Sequence, residues 1–476
     1  MAYSSSYSLL RYSSCLRNLQ YKTCNYHFLT NNNIIRKRTT AAAASSSSSY
    51  SSLSSPNPST LPSSDEKPIL SQFPLLILPS FTDQYPYDRK IHINRLASFR
   101  FFNPATNQFT GQRTSLLDKI VEFVGHPVFS NRGWLTYLDL KDCSLFLVNA
   151  LSPSPSAPQE DIIALPSFKT FKPFDSEEIE EIWRYPDTVH LFVGKIALSS
   201  PPREDNCVVM LWLGDDLRVD HASEDGHYCR KYPRSEFAFC RIGDTRWTFV
   251  EREIKNDGYF HITGEIVYSN RDKLFYTLYN GELEAFDLNN ISSPVSFKCP
   301  MEYPERYYLS EFEKDVCEND TCSKDYLVES PQGDLLRIRR NSVLLGKDGS
   351  ILENDEEYHS QTRYSYGDRY RSVHFRAYKL NMEKQIAEDF NLEGMAVFVG
   401  KNQSFCVSVD DHPGLSPNSI YFTDDLDRSR FDYPDGGHDN GVYNLLTHTL
   451  SPLFQPFEFK RIKPVPMWVY PDHPSS

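Results

Sequence analysis

Ile266-Val-Tyr-Ser-Asn-Arg-Asp-Lys-Leu-Phe-Tyr-Thr-Leu-Tyr-Asn-Gly-Glu-Leu-Glu-Ala-Phe-Asp287 is the stretch on which the fold reading turns. Leu274, Tyr276 and Leu278 alternate onto one face, the period of two expected of a half-buried strand. Asn280-Gly281 follows at once. Both central residues of a tight hairpin turn need positive φ, which Asn and Gly tolerate best. The segment therefore reads as three successive antiparallel strands. Asp325-Tyr-Leu-Val-Glu-Ser-Pro-Gln-Gly-Asp-Leu-Leu-Arg-Ile-Arg339 repeats the theme, turning at Pro331-Gln-Gly333.

Outward from these hairpins, short apolar runs bounded by turns continue from about Phe73. They predict strands at Gly133 to Leu138, Ser144 to Val148, Val208 to Leu213, Phe237 to Cys240, Trp247 to Glu251, Phe375 to Leu380, Ala396 to Val399, Ser404 to Val409, Ser419 to Thr423 and Val442 to Leu445. Aromatic residues make up 14% of the chain, which suits pleated, half-buried surfaces. A body near 390 residues is too long for one sandwich, whereas six or seven four-stranded blades would use it up. The expected fold is thus all-β, a β-propeller of six or seven blades. Helix is expected only at Asp175-Ser-Glu-Glu-Ile-Glu-Glu-Ile-Trp183, with Asp175 as N-cap and Glu178 closing a capping box. Asp315 to Asp320 and Leu352 to Asp368 read as polar loops, the second as a flexible insertion.

Charge divides the chain. No Asp or Glu occurs from Met1 to Ser64, while Arg11, Arg17, Lys22, Arg36, Lys37 and Arg38 give that stretch +6. The formal charge of −13 therefore leaves −19 on the remaining residues once those six are set aside. A Ser-rich, acid-free, basic leader is the composition of a transit peptide, so residues 1–64 are expected to be a disordered organelle presequence and Ser/Pro-rich linker. Leu9, Tyr12, Leu16 and Leu19 share one helical face with Arg11 and Arg17 beside it, which favours mitochondrial import; the serine density and Met1-Ala2 start speak for a plastid. The acidic body argues against a general nucleic-acid-binding surface, because phosphates would be repelled, and leaves room only for local basic patches. No apolar run reaches the ~18 residues of a bilayer span. Pro68 to Pro79, the most apolar stretch near the start, reads as a strand or entry segment. Cys143, Cys207, Cys229, Cys240, Cys299, Cys317, Cys322 and Cys406 are scattered through a domain too large to need staples, and read as free or buried thiols of a reducing compartment.

Several phrases resemble a known family. They are Gly133-Trp134-Leu135, Ala238-Phe-Cys-Arg-Ile-Gly-Asp-Thr-Arg-Trp-Thr248, Tyr326-Leu-Val-Glu-Ser330 with Asp334-Leu-Leu336, Phe375-Arg-Ala-Tyr-Lys-Leu380, Val397-Phe-Val-Gly-Lys-Asn-Gln-Ser-Phe405, Asn418-Ser-Ile-Tyr-Phe-Thr-Asp-Asp425 and Gly441-Val-Tyr-Asn-Leu445. In series, from about residue 70 to 455, they resemble the plant KIB-type β-propeller domain. Many members of that family carry an N-terminal F-box that docks a ubiquitin-ligase scaffold. Nothing from Met1 to Phe101 looks like one, so the chain is similar instead to an organellar branch. The resemblance implies no catalytic residue. The expected organisation is a presequence over 1–64, the propeller over 65–460 and a C-terminal tail over 461–476.

Candidate chemistry is sparse. Asp424, Asp425, Asp427, Asp432, Asp435 and Asp439 surround Gly436-Gly437; oxygen ligands for Ca²⁺ are one reading, but Arg430 stands where an EF-hand loop needs glycine, and a solvated turn is the reading adopted. Cys317 and Cys322, with His359 and His374 downstream, lack the closer paired spacing of a zinc site and read as free thiols. Arg241, Asp244, Arg246 and Trp247 read as a β-turn at Ile242-Gly-Asp-Thr245 followed by a core tryptophan. Arg337, Arg339, Arg340, Arg363, Arg369, Arg371 and Arg376 interleave with Tyr364, Tyr366 and Tyr370. That pattern would suit an RNA clamp, but Glu353, Asp355, Glu356 and Glu357 dilute the charge and a solvated loop is expected. Asn290, Asn319 and Asn402 begin formal glycan sequons. Phosphate loops, dinucleotide fingerprints and nucleophile elbows are missing from the sequence. The expectation is a non-enzymatic, monomeric scaffold with no catalytic residue, cofactor or metal and with an unknown protein partner. A ubiquitin-ligase substrate receptor and an organellar RNA-binding protein are the alternatives.

Overall fold

The computed structural model describes residues 73–79, 98–113, 129–138, 144–149, 151, 162–167, 170, 193–213, 221–222, 228–229, 236–250, 264–279, 281–290, 294–304, 323–345, 369–425, 439–454 and 466–470. The chain divides into two units, Met1–Ser64 and Asp65–Ser476, and every described residue lies in the second. The leader, the helix expected at Asp175–Trp183 and the loops expected at Asp315 to Asp320 and Leu352 to Asp368 lie outside the described residues.

Six sheets of four or five strands form the blades of a propeller. Blade 2 holds Phe129–Asn131, Trp134–Leu138, Ser144–Asn149 and Ile162–Ser167. Blade 3 holds Val193–Leu198, Val208–Leu213, Glu236–Arg241 and Thr248–Val250. Blade 4 contains the Ile266 to Asp287 stretch: Gly264–Ser269, Leu274–Tyr279, Glu282–Asp287 and Val295–Cys299, paired in that order. Gly281 takes φ +79° between its second and third strands, as the Asn-Gly hairpin requires. Blade 5 holds Lys324–Glu329, Leu335–Leu345, Arg369–Asn381 and Ile386–Asp389, with Gly333 at φ +83° in the expected turn.

Blade 6 departs from the plain meander. Its order is Phe405–Ser408, Met395–Val399, Ser419–Phe422, Gly441–Asn444 and Thr449–Pro452. Met395–Val399 pairs antiparallel with Phe405–Ser408 and parallel with Ser419–Phe422. The hairpin Met395–Ser408 thus puts its second strand on the edge of the sheet and carries the loop Gly400 to Ser404 at its tip.

Blade 1 joins the two ends of the domain. Leu75–Pro79, Ser98–Asn103 and Gln108–Arg113 pair in order, and Met467–Val469 completes the sheet antiparallel to Leu75–Pro79. This corrects the expected C-terminal tail: Met467–Val469 is a strand of the propeller, not an appendage after residue 460. Trp468 is fully buried there and meets Phe398 edge-on at 5.0 Å and Tyr421 at 6.1 Å, both on blade 6. Closing the ring removes sheet edges that would otherwise invite other chains.

The core is a ring of apolar seams rather than one centre. One cluster lies between each pair of consecutive blades: blades 1 and 2, 2 and 3, 3 and 4, 4 and 5, 5 and 6, and 6 and 1. Six seams for six blades is the arrangement of a closed disc. The seam between blades 3 and 4 shows how tightly it is cut. A Cβ at Gly194 would lie 2.0 Å from Cε3 of Trp212, and one at Gly264 would lie 2.6 Å from its Cδ2. The indole is clamped by the first strands of two blades, and only glycine leaves room for it.

Candidate functional site

The first strands of blades 2 to 5 line the axis, and a charged network fills it. Lys195 on blade 3 places Nζ 2.8 Å from Oε1 of Glu265 on blade 4. The same ammonium donates to the carbonyls of Gly400 at 3.0 Å and Asn402 at 3.1 Å, on the tip of the blade 6 hairpin. Blades 3 and 6 are opposite in a ring of six, so these bonds cross the axis. The tip reaches further, because Gln403 N donates to the Ser130 carbonyl on blade 2 at 2.8 Å and Ser130 and Asn402 form a parallel bridge. Gly400 has φ +152°, and a Cβ there would meet Thr423 Oγ1 at 2.0 Å. The plug needs glycine at that point.

A second half of the network ties blade 5 to blade 6. Lys324 Nζ lies 2.8 Å from Asp425 Oδ2. Arg340 Nη1 lies 2.9 Å from Asp425 Oδ1, and its Nη2 lies 2.7 Å from Asp439 Oδ2. Tyr326 donates its hydroxyl to Asp425 Oδ1 at 2.9 Å. Arg340 also donates to the Thr423 carbonyl at 2.9 Å. Asp439 accepts from Ser372 N and Oγ at 2.9 and 2.7 Å. Three cations thus face three carboxylates, so the network is internally neutral, as buried charges must be. Burial would raise the Asp425 pKa, but Lys324, Arg340 and Lys195 together outweigh it and hold the carboxyl at about 2. Burial dominates the Lys195–Glu265 pair: it lowers the lysine and pushes Glu265 up to about 7 against their attraction.

These contacts overturn two expectations. The acids Asp424, Asp425 and Asp439 are not a solvated turn: Asp424 and Asp425 are buried, and Asp425 and Asp439 are counter-ions of Arg340. Asp427, Asp432, Asp435 and Gly436-Gly437 lie outside the described residues. Arg337, Arg339 and Arg340 lie on the strand Leu335–Leu345, where Arg337 and Arg340 are buried in ion pairs rather than solvated. Arg337 grips Asp325 with both Nε at 3.0 Å and Nη2 at 2.6 Å, Arg339 shares that carboxylate at 4.0 Å, and Arg340 points to the opposite face and is fully buried. Arg371 and Arg376 lie on the partner strand Arg369–Asn381. Arg363, Tyr364, Tyr366, Cys317, Cys322, His359 and Asn319 lie outside the described residues.

Other expectations fall into place. Trp247 is a core residue and donates Nε1 to the Pro166 carbonyl at 2.8 Å. The turn before it closes one residue early, with Asp244 N donating to the Arg241 carbonyl and Arg241 N to Asp244 Oδ2. Cys207, Cys240, Cys299 and Cys406 are free thiols. His374 is buried and stacks on His448 at 6.1 Å. Asn402 is 1% exposed in the plug, which removes it as a glycan acceptor.

Above the plug, at the axial mouth, a cleft of about 540 Å³ opens between blades 4, 5, 6 and 1. Its walls include Arg271, Glu329, Cys406, Asp411, His412 and Tyr470. His412 is buried; its Nδ1 lies 2.9 Å from the Ser408 carbonyl, so Nδ1 carries the proton, and Nε2 accepts from the Tyr470 hydroxyl at 3.3 Å. Burial pushes the Cys406 thiol up to about 12, which keeps it protonated and a poor nucleophile. The volume is that of a small-ligand or side-chain pocket. No sequence signal located this cleft, because its walls come from turns of four blades whose adjacency only the ring creates. Among the described residues no group of three His, Cys, Asp or Glu side chains is placed to hold a metal ion.

A closed ring of six blades with these phrases along it has a counterpart among known families: the sequence model of the KIB1-4 beta-propeller family matches residues 101–444. The chain belongs to the KIB1-4 β-propeller family. No curated protein matches it. The family match ends short of the ring at both sides, for Leu75–Pro79 and Met467–Val469 fall outside it yet supply two of the four strands of blade 1. A propeller of this family therefore closes here with segments that flank the matched stretch. The KIB1-4 fold points to a module that works by protein contact. No helix among the described residues is long and apolar enough to cross a membrane.

Proposed function

We propose that this chain is a protein-interaction scaffold that works inside a plant organelle, in mitochondria rather than chloroplasts. One observation carries the scaffold reading: the axis is filled by the protein's own neutralised ion pairs and hairpin tip, from Lys195 to Asn402. A propeller's blades surround a central channel, and with these groups crossing it the contact surfaces left are the two faces, the mouth cleft and the rim. Among its described lining residues the thiol is held neutral and the histidine has both ring nitrogens occupied. The organelle rests on the acid-free basic leader, and the choice of mitochondria on the face formed by Leu9, Tyr12, Leu16 and Leu19.

Proximity labelling with the full-length protein tests both parts together. The expected result is a reproducible set of mitochondrial matrix neighbours. A label confined to ubiquitin-ligase subunits in the cytosol would replace this reading with the substrate-receptor one. A fluorescent fusion of residues 1–64 is expected to colocalise with a mitochondrial marker, and a diffuse cytosolic signal would remove the organelle from the account.

A further inference from the structure

Resting on the scaffold reading, we propose that the axial cleft binds the basic side chain, arginine or lysine, of an extended peptide on a protein partner. The charges of the cleft carry this. Among its described lining residues Arg271 is the only Arg or Lys, and it is already held by Asp272 at 3.0 Å and faces Asp334 at 3.5 Å. Glu329 accepts from Ser269 Oγ at 2.8 Å, Asn270 Nδ2 at 2.7 Å and Arg271 N at 3.2 Å. All three donors are neutral. Asp411 is exposed at the rim. Among the described residues no Lys or Arg pairs with Glu329 or Asp411 within 4.0 Å, although Arg132 reaches Glu329's partner Asn270 at 3.3 Å, so the cleft presents two carboxylates to a cationic guest.

The walls suit the rest of such a side chain. Tyr470 lines the cleft, and its ring is held by stacking on Phe405 with ring centres 5.1 Å apart and planes 14° from parallel. An ammonium or guanidinium over an aromatic face gains on the order of 1 kcal/mol, and the methylene stem of Lys or Arg packs on the ring. The body of the chain carries −19 once the six basic leader residues are set aside, which draws basic partners toward it. An anionic guest would meet Glu329 and Asp411 at close range, and an apolar one would desolvate both without compensation.

Ligand-detected saturation-transfer NMR on the full-length protein tests this with N-acetyl amides of arginine, lysine, norleucine and glutamate. The arginine and lysine amides should receive saturation, and the norleucine and glutamate amides should stay at background. Asp411→Asn should weaken the basic amides about threefold, the loss of one partly exposed ion pair. Tyr470→Leu, checked for fold by circular dichroism, should weaken them as well. Equal saturation of norleucine, binding of the glutamate amide, or basic binding unmoved by Asp411→Asn would each overturn the proposal. If proximity labelling still returns organelle partners while the basic amides fail to bind, the cleft assignment falls and the scaffold stands. If neither gives a signal, both fall.

Discussion

Arg340 and Asp425 meet at 2.9 Å with side chains 0% and 1% exposed, although 85 residues separate them in the chain. The pair bolts the second strand of blade 5 to the segment that leaves the third strand of blade 6. It also anchors Tyr326 and, through Asp439, the start of the next strand. Nothing in water would favour burying these groups singly; together they satisfy one another.

Asp425→Ala is therefore expected to cost about 3–5 kcal/mol, since it strands the Lys324 ammonium and the Arg340 guanidinium in the interior. Arg340→Met combined with Asp425→Leu should lose less than the single change. Chemical denaturation of the three proteins measures both quantities. A loss below about 1 kcal/mol for Asp425→Ala would show that water reaches the axis and that the network is not buried.

The same network sets a pH dependence with two limbs. Asp425 is held at about 2, below its usual 3.8, so its contribution is complete above the usual value and is lost as pH falls toward 2. Glu265 is raised from 4.5 to about 7, so the folded state holds that proton more tightly. Its contribution is complete below 4.5 and is lost as pH rises through 7. Denaturation midpoints measured across both ranges should fall at each end, and Glu265→Gln should abolish the upper decline while leaving the acid one. An upper decline that persists in Glu265→Gln would assign it to another group.

Gly264→Ala tests the seam between blades 3 and 4. The added methyl would sit 2.6 Å from the Trp212 indole, which has Gly194 on its other side and nowhere to retreat. A loss of about 1–3 kcal/mol from overpacking is expected, together with a changed near-ultraviolet circular dichroism signal from the displaced indole. An unchanged signal with unchanged stability would mean that the ring is not clamped.

Much of the ring was legible because strands and tight turns are local. Asn280-Gly281 announces positive φ in two letters, and Leu274, Tyr276 and Leu278 show their buried face by spacing alone. Trp247 followed from the turn in front of it. The failures share one cause, which is partnership over long separations. Asp424, Asp425 and Asp439 look like a solvated turn until Arg340 and Lys324 arrive, 85 and 101 residues from Asp425. Met467-Trp468-Val469 is too short to show a period and is flanked by Pro464, Pro466 and Pro471, so it reads as a tail; only pairing with Leu75–Pro79 makes it a strand. The parallel pair in blade 6 and the cleft walls are likewise products of the assembled ring.

The claim on which the rest depends is that the described strands of Asp65–Ser476 form one disc, shut by the strand Met467–Val469. Leu75 pairs with Val469 in that closure. The direct measurement is oxidative crosslinking of Leu75→Cys/Val469→Cys, read by mass spectrometry after digestion, with Leu75→Cys/Trp468→Cys as the out-of-register control. The account predicts a linked peptide joining the two ends of the domain in the first protein and little in the control. Linkage only in the control, or in neither protein, would contradict it and leave the ring open.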